Sequence, residues 1–255
     1  MNISTVNSCN QYFTGHGSEN NLSKKQKAII LGSSAAGMAP VLAVLAHRTG
    51  FSLNPAKIIK TPLKDMAMFK YAPVEKSIEF EAPQIISVAT GSVAGGFIGG
   101  AIVDKSNIKA KKREVLNQIL GNVMVPVCCV WLGAKGYNKF AEKIEGAMPQ
   151  INKNTKAAKI FNTVMKKLPN GLTTLALLGV GIYLGNKVSN LINEKLYHKK
   201  VDRNIKATDF APHVDDVCMA ASMMNHDSTF GSKLGRIIPL ALLVPGYETG
   251  TAQEG

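Results

Sequence analysis

The chain has 255 residues, enough to bury a sizeable core in one large domain or two small ones, and its 30 Lys and Arg against 17 Asp and Glu leave a net charge of +13. That excess would suit a nucleic-acid binder, but no aromatics are interleaved with the basic residues and no helix-turn-helix or finger pattern is present, so no nucleic-acid partner is expected. The four cysteines, Cys9, Cys128, Cys129 and Cys218, show no CxxC and no paired spacing, which argues against a disulfide framework and a zinc ribbon.

In chain order, residues 1–27 read as a polar, flexible tail. The first 23 are rich in Ser and Asn and hold no Lys or Arg, unlike a mitochondrial presequence. Ala28–Ala46 follows, AIILGSSAAGMAPVLAVLA, nineteen residues without a charge. At 1.5 Å per residue such a helix is about 28 Å long, close to the hydrocarbon thickness of a bilayer. It starts too late and runs too long for a secretory signal, and Pro40 is tolerated as a kink in a membrane helix. Its glycines also have the spacing of a nucleotide loop. However, Ser34 stands where a dinucleotide fingerprint needs its second glycine, and Met38 and Ala39 replace the Lys and Ser/Thr of a P-loop.

Thr61 and Pro62 suit a helix start, with Leu63, Met66 and Phe69 at helical spacing, and the alternation over Ser77–Glu81 predicts a short strand. Ile85–Val103, IISVATGSVAGGFIGGAIV, is a second run of nineteen uncharged residues, fenced by Glu79 and Glu81 before it and Asp104 and Lys105 after it. Its eight strong hydrophobes at about −0.3 to −0.6 kcal/mol each favour insertion by roughly 2–5 kcal/mol. Five glycines work against that gain, so the helix is expected to depend on neighbours. Gly91, Gly95 and Gly99 fall four apart, as do Gly96 and Gly100, and each set lies along one helix face where another backbone can approach closely. Ala35, Ala39 and Ala43 offer a comparable face on the first segment, and Gly181 and Gly185 on the fourth.

The 104–114 loop carries five basic residues in eleven, the densest cluster in the chain. Together with the KKQK leader and the Lys195–Lys200 region it places the N-terminus on the cytoplasmic side, although the 133–170 loop, with its eight lysines, counts the other way. The third segment, Val115–Leu132, holds Asn117, Gln118 and Asn122 in its first half. Polar groups at that depth face a bundle interior or a cavity. Gln118 and Asn122 share a helix face, and Asn117 lies about 100° round from Gln118. Over 156–168, Phe161, Met165 and Leu168 oppose Lys156, Lys159, Lys166 and Lys167. That is either a basic amphipathic helix on an anionic headgroup layer or an ordinary loop helix with a solvated face. The fourth segment, Leu172–Gly185, has fourteen uncharged residues and reaches full thickness, over 171–188 and on through Leu191 and Ile192, only if Lys187 snorkels.

Residues 193–255 read as a basic linker, an amphipathic helix and the apolar patch Ile237–Pro245, which is too short to cross. Asp209, His213, Asp215, Asp216, Cys218, His226 and Asp227 are residue types that bind zinc or iron or move protons. His213, Asp216 and His226 are the metal candidates. Val214, Val217, Cys218, Ala221 and Met224 form an apolar stripe on the same stretch, which predicts an amphipathic helix with a solvated acidic face, and no cofactor is assigned. No HExxH or GxSxG is present. The whole reads as an all-α, multi-pass membrane protein with about four spans (range two to four) inside 28–192. The expected role is structural or scaffolding, with glycine-mediated helix packing. A pore or small-solute transporter lined by Asn117, Gln118 and Asn122 is the alternative, and a membrane-surface enzyme using the tail is third. The expected partners are anionic lipid headgroups and either a second copy of the chain or other membrane helices.

Overall fold

Each long apolar run becomes a helix, because a helix alone satisfies its backbone within the segment. The computed structural model describes residues 21–69, 77–198, 205–218 and 236–254. His226, Asp227, Ala221 and Met224 lie outside these, as does the leader to residue 20. The helices are Lys24–Arg48 (α1), Pro55–Lys60 (α2), Ala82–Val103 (α3), Ile108–Leu116 (α4), a π-helical segment Asn117–Met124, Val125–Asn138 (α5), Ala141–Gly146 (α6), Lys156–Tyr197 (α7), Ile238–Ala241 (α8) and Val244–Thr251 (α9). Short 3-10 turns cover Leu63–Asp65, Lys105–Asn107 and Ala207–His213. Among the described residues, four helices are long and apolar enough to cross a membrane: α1, α3, the continuous run Lys105–Asn138, and α7.

Local chemistry sets the ends. The Ser23 side chain accepts the Gln26 N–H, and the Gln26 side chain accepts the Ser23 N–H, so a capping box starts α1 ahead of its apolar run. Pro83 falls in the first turn of α3, where its missing N–H costs nothing. Thr155 caps α7, a helix of 42 residues and so about 63 Å long, twice the hydrocarbon thickness. The basic amphipathic stretch and the fourth apolar segment are therefore one helix, continuous through Pro169.

Packing is organised around α3. Residues 33 and 37 of α1 meet residues 99–95 and 95–91 of α3, so these two helices are antiparallel. Gly246 and Gly250 of α9 meet Ser92, Gly96 and Gly100, so α9 runs parallel to α3. Gly121 and Pro126 meet Ser189, Gly185 and Gly181, which makes the third helix antiparallel to α7. The main apolar core joins Met38, Leu42 and Ala46 of α1 to Ile85, Val88 and Ala89 of α3, Val123 and Val127 of the third helix, and Ile238 and Leu242 around α8. A smaller core of Val130, Leu178 and Ile182 lies between α5 and α7.

Three expectations change. Ser77–Glu81 is not a strand, and no strand exists among the described residues; Ile78 N–H donates to the Ala67 carbonyl at 3.0 Å. The Ala35, Ala39 and Ala43 face does not pack, since Ala35 and Ala39 are exposed and Ser33 and Gly37 take the contact instead. Within the basic 104–114 cluster, Lys111 and Arg113 are buried rather than held at a headgroup layer. The C-terminal apolar patch does not cross; its two short helices pack into the bundle.

Candidate functional site

Two features stand out, a set of backbone-close seams and a buried polar chain. On α3, a Cβ on Gly95 would fall on the Ser33 carbonyl and 3.0 Å from the Gly37 Cα, and one on Gly91 would lie 2.7 Å from the Gly37 carbonyl oxygen. Gly99 faces the Ser33 side chain at 2.6 Å in the same construction. The other glycine face, Gly96 and Gly100, is turned to α9, where added Cβ atoms would fall on the carbonyls of Gly246 and Gly250. Gly181 and Gly185 lie against Pro126 and the Gly121 carbonyl. The sequence reading missed Gly37, Gly121, Gly246 and Gly250. In GYETG the last two sit four apart, the same signal that marks α3.

Asn117, Gln118 and Asn122 are all buried in the π-helical segment. An i→i+5 turn is wider than an α turn, so Asn117 is rotated less from Gln118 than α geometry implies. Gln118 Nε2 donates to Glu114 Oε1 at 2.7 Å and to Glu248 Oε2 of α9 at 2.6 Å. Gln118 Oε1 accepts from Asn122 Nδ2 at 2.9 Å, and Asn117 Nδ2 donates to Glu114 Oε2 at 3.3 Å. The Glu114 and Glu248 carboxylate oxygens face the amide nitrogens, so Asn117 and Gln118 present their NH2 groups to them. Glu114 and Glu248 escaped the sequence reading, the first because it was counted with the loop and the second because it lies 130 residues from Gln118.

The His213 ring sits 2.8 Å through Nε2 from the Asn122 backbone carbonyl, an acceptor, so Nε2 carries the proton. Its Nδ1 has no hydrogen-bond partner. Burial pushes this imidazole down to about 4, with the Asn122 carbonyl and Asp209 offsetting only part of that effect. Burial pushes Asp216 up to about 6, and burial together with the Asp216 charge raises Asp215. The expected solvated face is thus not solvated: Asp209, His213 and Asp216 are buried, while of the apolar stripe Val214 and Cys218 face inward and Val217 is exposed. The physical reason is a partner inside the bundle, the Asn122 carbonyl, together with a 3-10 turn pinned by Lys206 N–H donating to Asp209 Oδ2 at 2.8 Å. Among the described residues no group of three or more His, Cys, Asp or Glu is placed to hold a metal ion.

Residues 252–254 are clasped to one end of the bundle. Lys111 Nζ meets Asp104 Oδ2 at 3.0 Å and donates to the Ala252 carbonyl at 2.8 Å, placing a cation at the C-terminal end of α9. Gln253 Nε2 donates to Asp104 Oδ2 at 3.3 Å, and Glu254 N–H to Asn107 Oδ1 at 3.0 Å. Burial works to raise the Asp104 carboxyl, but hydrogen bonds from Asn107, Lys111, Ser106 and Gln253 outweigh it and hold the group at about 2.

Comparison of the chain with family models, with curated proteins and with solved structures finds no match.

Proposed function

We propose that the chain is a multi-pass membrane protein with a structural or scaffolding role, in which close helix packing is the working feature. The observation that carries this reading is the position of α3, whose two glycine faces are taken by two helices of the same chain, α1 and α9. Apolar residues stay exposed on the outside of the bundle, Leu31 and Val44 of α1, Ile98 and Ile102 of α3, and Val180 and Leu191 of α7, where lipid or a further membrane helix would cover them. Exposed Lys24, Lys25, Lys105, Lys109 and Lys112 gather at the end where Gln26 bonds the Val103 carbonyl. That end suits an anionic headgroup layer and, by the positive-inside rule, the cytoplasmic side.

The second reading, a pore or small-solute transporter, is favoured by the turning of Asn117, Gln118 and Asn122 into the bundle beside Glu114 and Glu248. The tail enzyme gains least, because His213 is spent on the Asn122 carbonyl. Reconstitution into liposomes containing anionic lipid separates the first two. A scaffold leaves efflux of protons, potassium and small dyes at the protein-free level. Efflux that disappears with Gln118→Leu would replace the scaffold reading with the transporter.

A further inference from the structure

The third helix starts at Lys105, at the end where Gln26 bonds the Val103 carbonyl, and α7 runs antiparallel to it, so the connection 139–155 lies at the opposite end of the bundle. At that end α7 does not stop with its apolar run. Sixteen further residues, Lys156–Gly171, belong to the same helix ahead of Leu172 and carry it about 24 Å beyond. The extension has its own fastenings. Thr155 accepts the Ala158 N–H, and Asn162 clamps the incoming chain, accepting the Ile151 N–H at 2.8 Å and donating to the Ile151 carbonyl at 3.1 Å. Residues 133–171 hold eight lysines, all exposed, against two glutamates, Glu142 and Glu145, so this lobe is strongly cationic. Phe140, Ile151 and Phe161 stand among the lysines, 59%, 40% and 39% exposed.

Distance decides what these lysines can reach. The headgroup layer of a bilayer adds only about 5–8 Å beyond the hydrocarbon on each side. Lys166 and Lys167 lie about 8–9 Å along the helix from Leu172 and fit the headgroups of the membrane the chain spans. Lys159 and Lys156 lie about 20 and 24 Å away. A helix tilt of 40°, at the upper end of the usual range, still leaves them about 15–18 Å above the hydrocarbon, clear of that layer. We propose that Lys153, Lys156 and Lys159, with Phe140, Ile151 and Phe161, dock on the anionic headgroups of a second, facing bilayer, so that the scaffold joins two membranes. This rests on the membrane reading above. A bilayer fits better than a soluble polyanion because its headgroups neutralise the lysines while its acyl boundary takes up the exposed apolar side chains. A polyanion would satisfy only the charges.

The test reconstitutes the full chain into phosphatidylcholine vesicles and adds protein-free vesicles that contain phosphatidylserine. Light scattering should report clustering that requires phosphatidylserine in the added vesicles and weakens as salt rises. The triple variant Lys153→Gln, Lys156→Gln, Lys159→Gln should bind the added vesicles about a hundredfold more weakly, since each lysine near an anionic surface contributes about a fivefold factor. All three side chains are exposed, so the variant should insert like the wild type and resist carbonate to the same extent. Neutralising Lys24, Lys25 and Lys105 at the other end should leave the clustering in place. An inserted wild type that clusters no vesicles would overturn the proposal and leave the scaffold reading standing. Clustering undiminished in the lobe variant would overturn it too, as would binding of single-stranded RNA through the same lysines without any clustering. Protein that carbonate strips from its own vesicles would remove the membrane reading and the proposal together.

Discussion

His213 shows what one buried residue does to the response of the whole chain to acid. Its folded value of about 4 lies below the ordinary 6.5, so between those limits the unfolded chain binds the extra proton. Its contribution is complete above pH 6.5 and is lost progressively as pH falls toward 4. Asp216 acts in the opposite sense: its value is raised from 3.8 to about 6, so the native state binds the extra proton in that window and stability falls as pH rises through it. The two effects oppose each other, and the wild-type profile alone will hide both. The difference between wild type and His213→Gln isolates the imidazole. That difference should move in favour of the wild type from pH 4 to pH 6.5, by on the order of 2–3 kcal/mol at full linkage. Thermal unfolding of both proteins across the range checks it, and a constant difference would show that His213 is not held neutral. Its burial was not legible locally, since the partner that makes it tolerable is a backbone carbonyl 91 residues away.

At the scale of the element, α3 is the helix whose sequence says most and whose partners say the rest. The four-residue glycine spacing marks two close-approach faces, and the geometry assigns one to α1 and the other to α9. Because the α1 partner belongs to the same chain, damage to that face should appear as lost folding rather than changed stoichiometry. Gly95→Ile would put a branched side chain onto the Ser33 carbonyl, where relief requires separating two backbones. Overpacking of this kind costs about 1–3 kcal/mol, comparable with the roughly 2–5 kcal/mol expected to favour inserting the segment. Ile98 is 58% exposed, so Ile98→Leu keeps volume and disturbs little packing. Folded yield and Tm in detergent should fall for the first variant and not for the second. Equal values would show that the close approach carries no stability. The α9 helix, only eight residues long, is too short to announce itself by hydropathy. Its glycines gain meaning only once α3 offers a matching groove.

At the scale of the molecule, the decisive property is that four helices among the described residues are long and apolar enough to cross a membrane. The protein should therefore sediment with membranes and resist carbonate extraction. Recovery of folded protein in the soluble fraction without detergent would remove the basis for the membrane reading. The apolar runs and their charged flanks were legible from the sequence because hydropathy and length are local, additive quantities. The same holds for the glycine spacing of α3 and for the polar residues at 117, 118 and 122. Tertiary structure alone decided which face meets which. Ser33 and Gly37 displaced the alanines, Lys111 went inward because Asp104 and the end of α9 offered it partners, and Glu114, Gln118 and Glu248 became one chain. The reason is physical: a buried polar or charged group is stable only where a partner of opposite character meets it, and such partners are brought together by folding rather than by neighbourhood in the sequence.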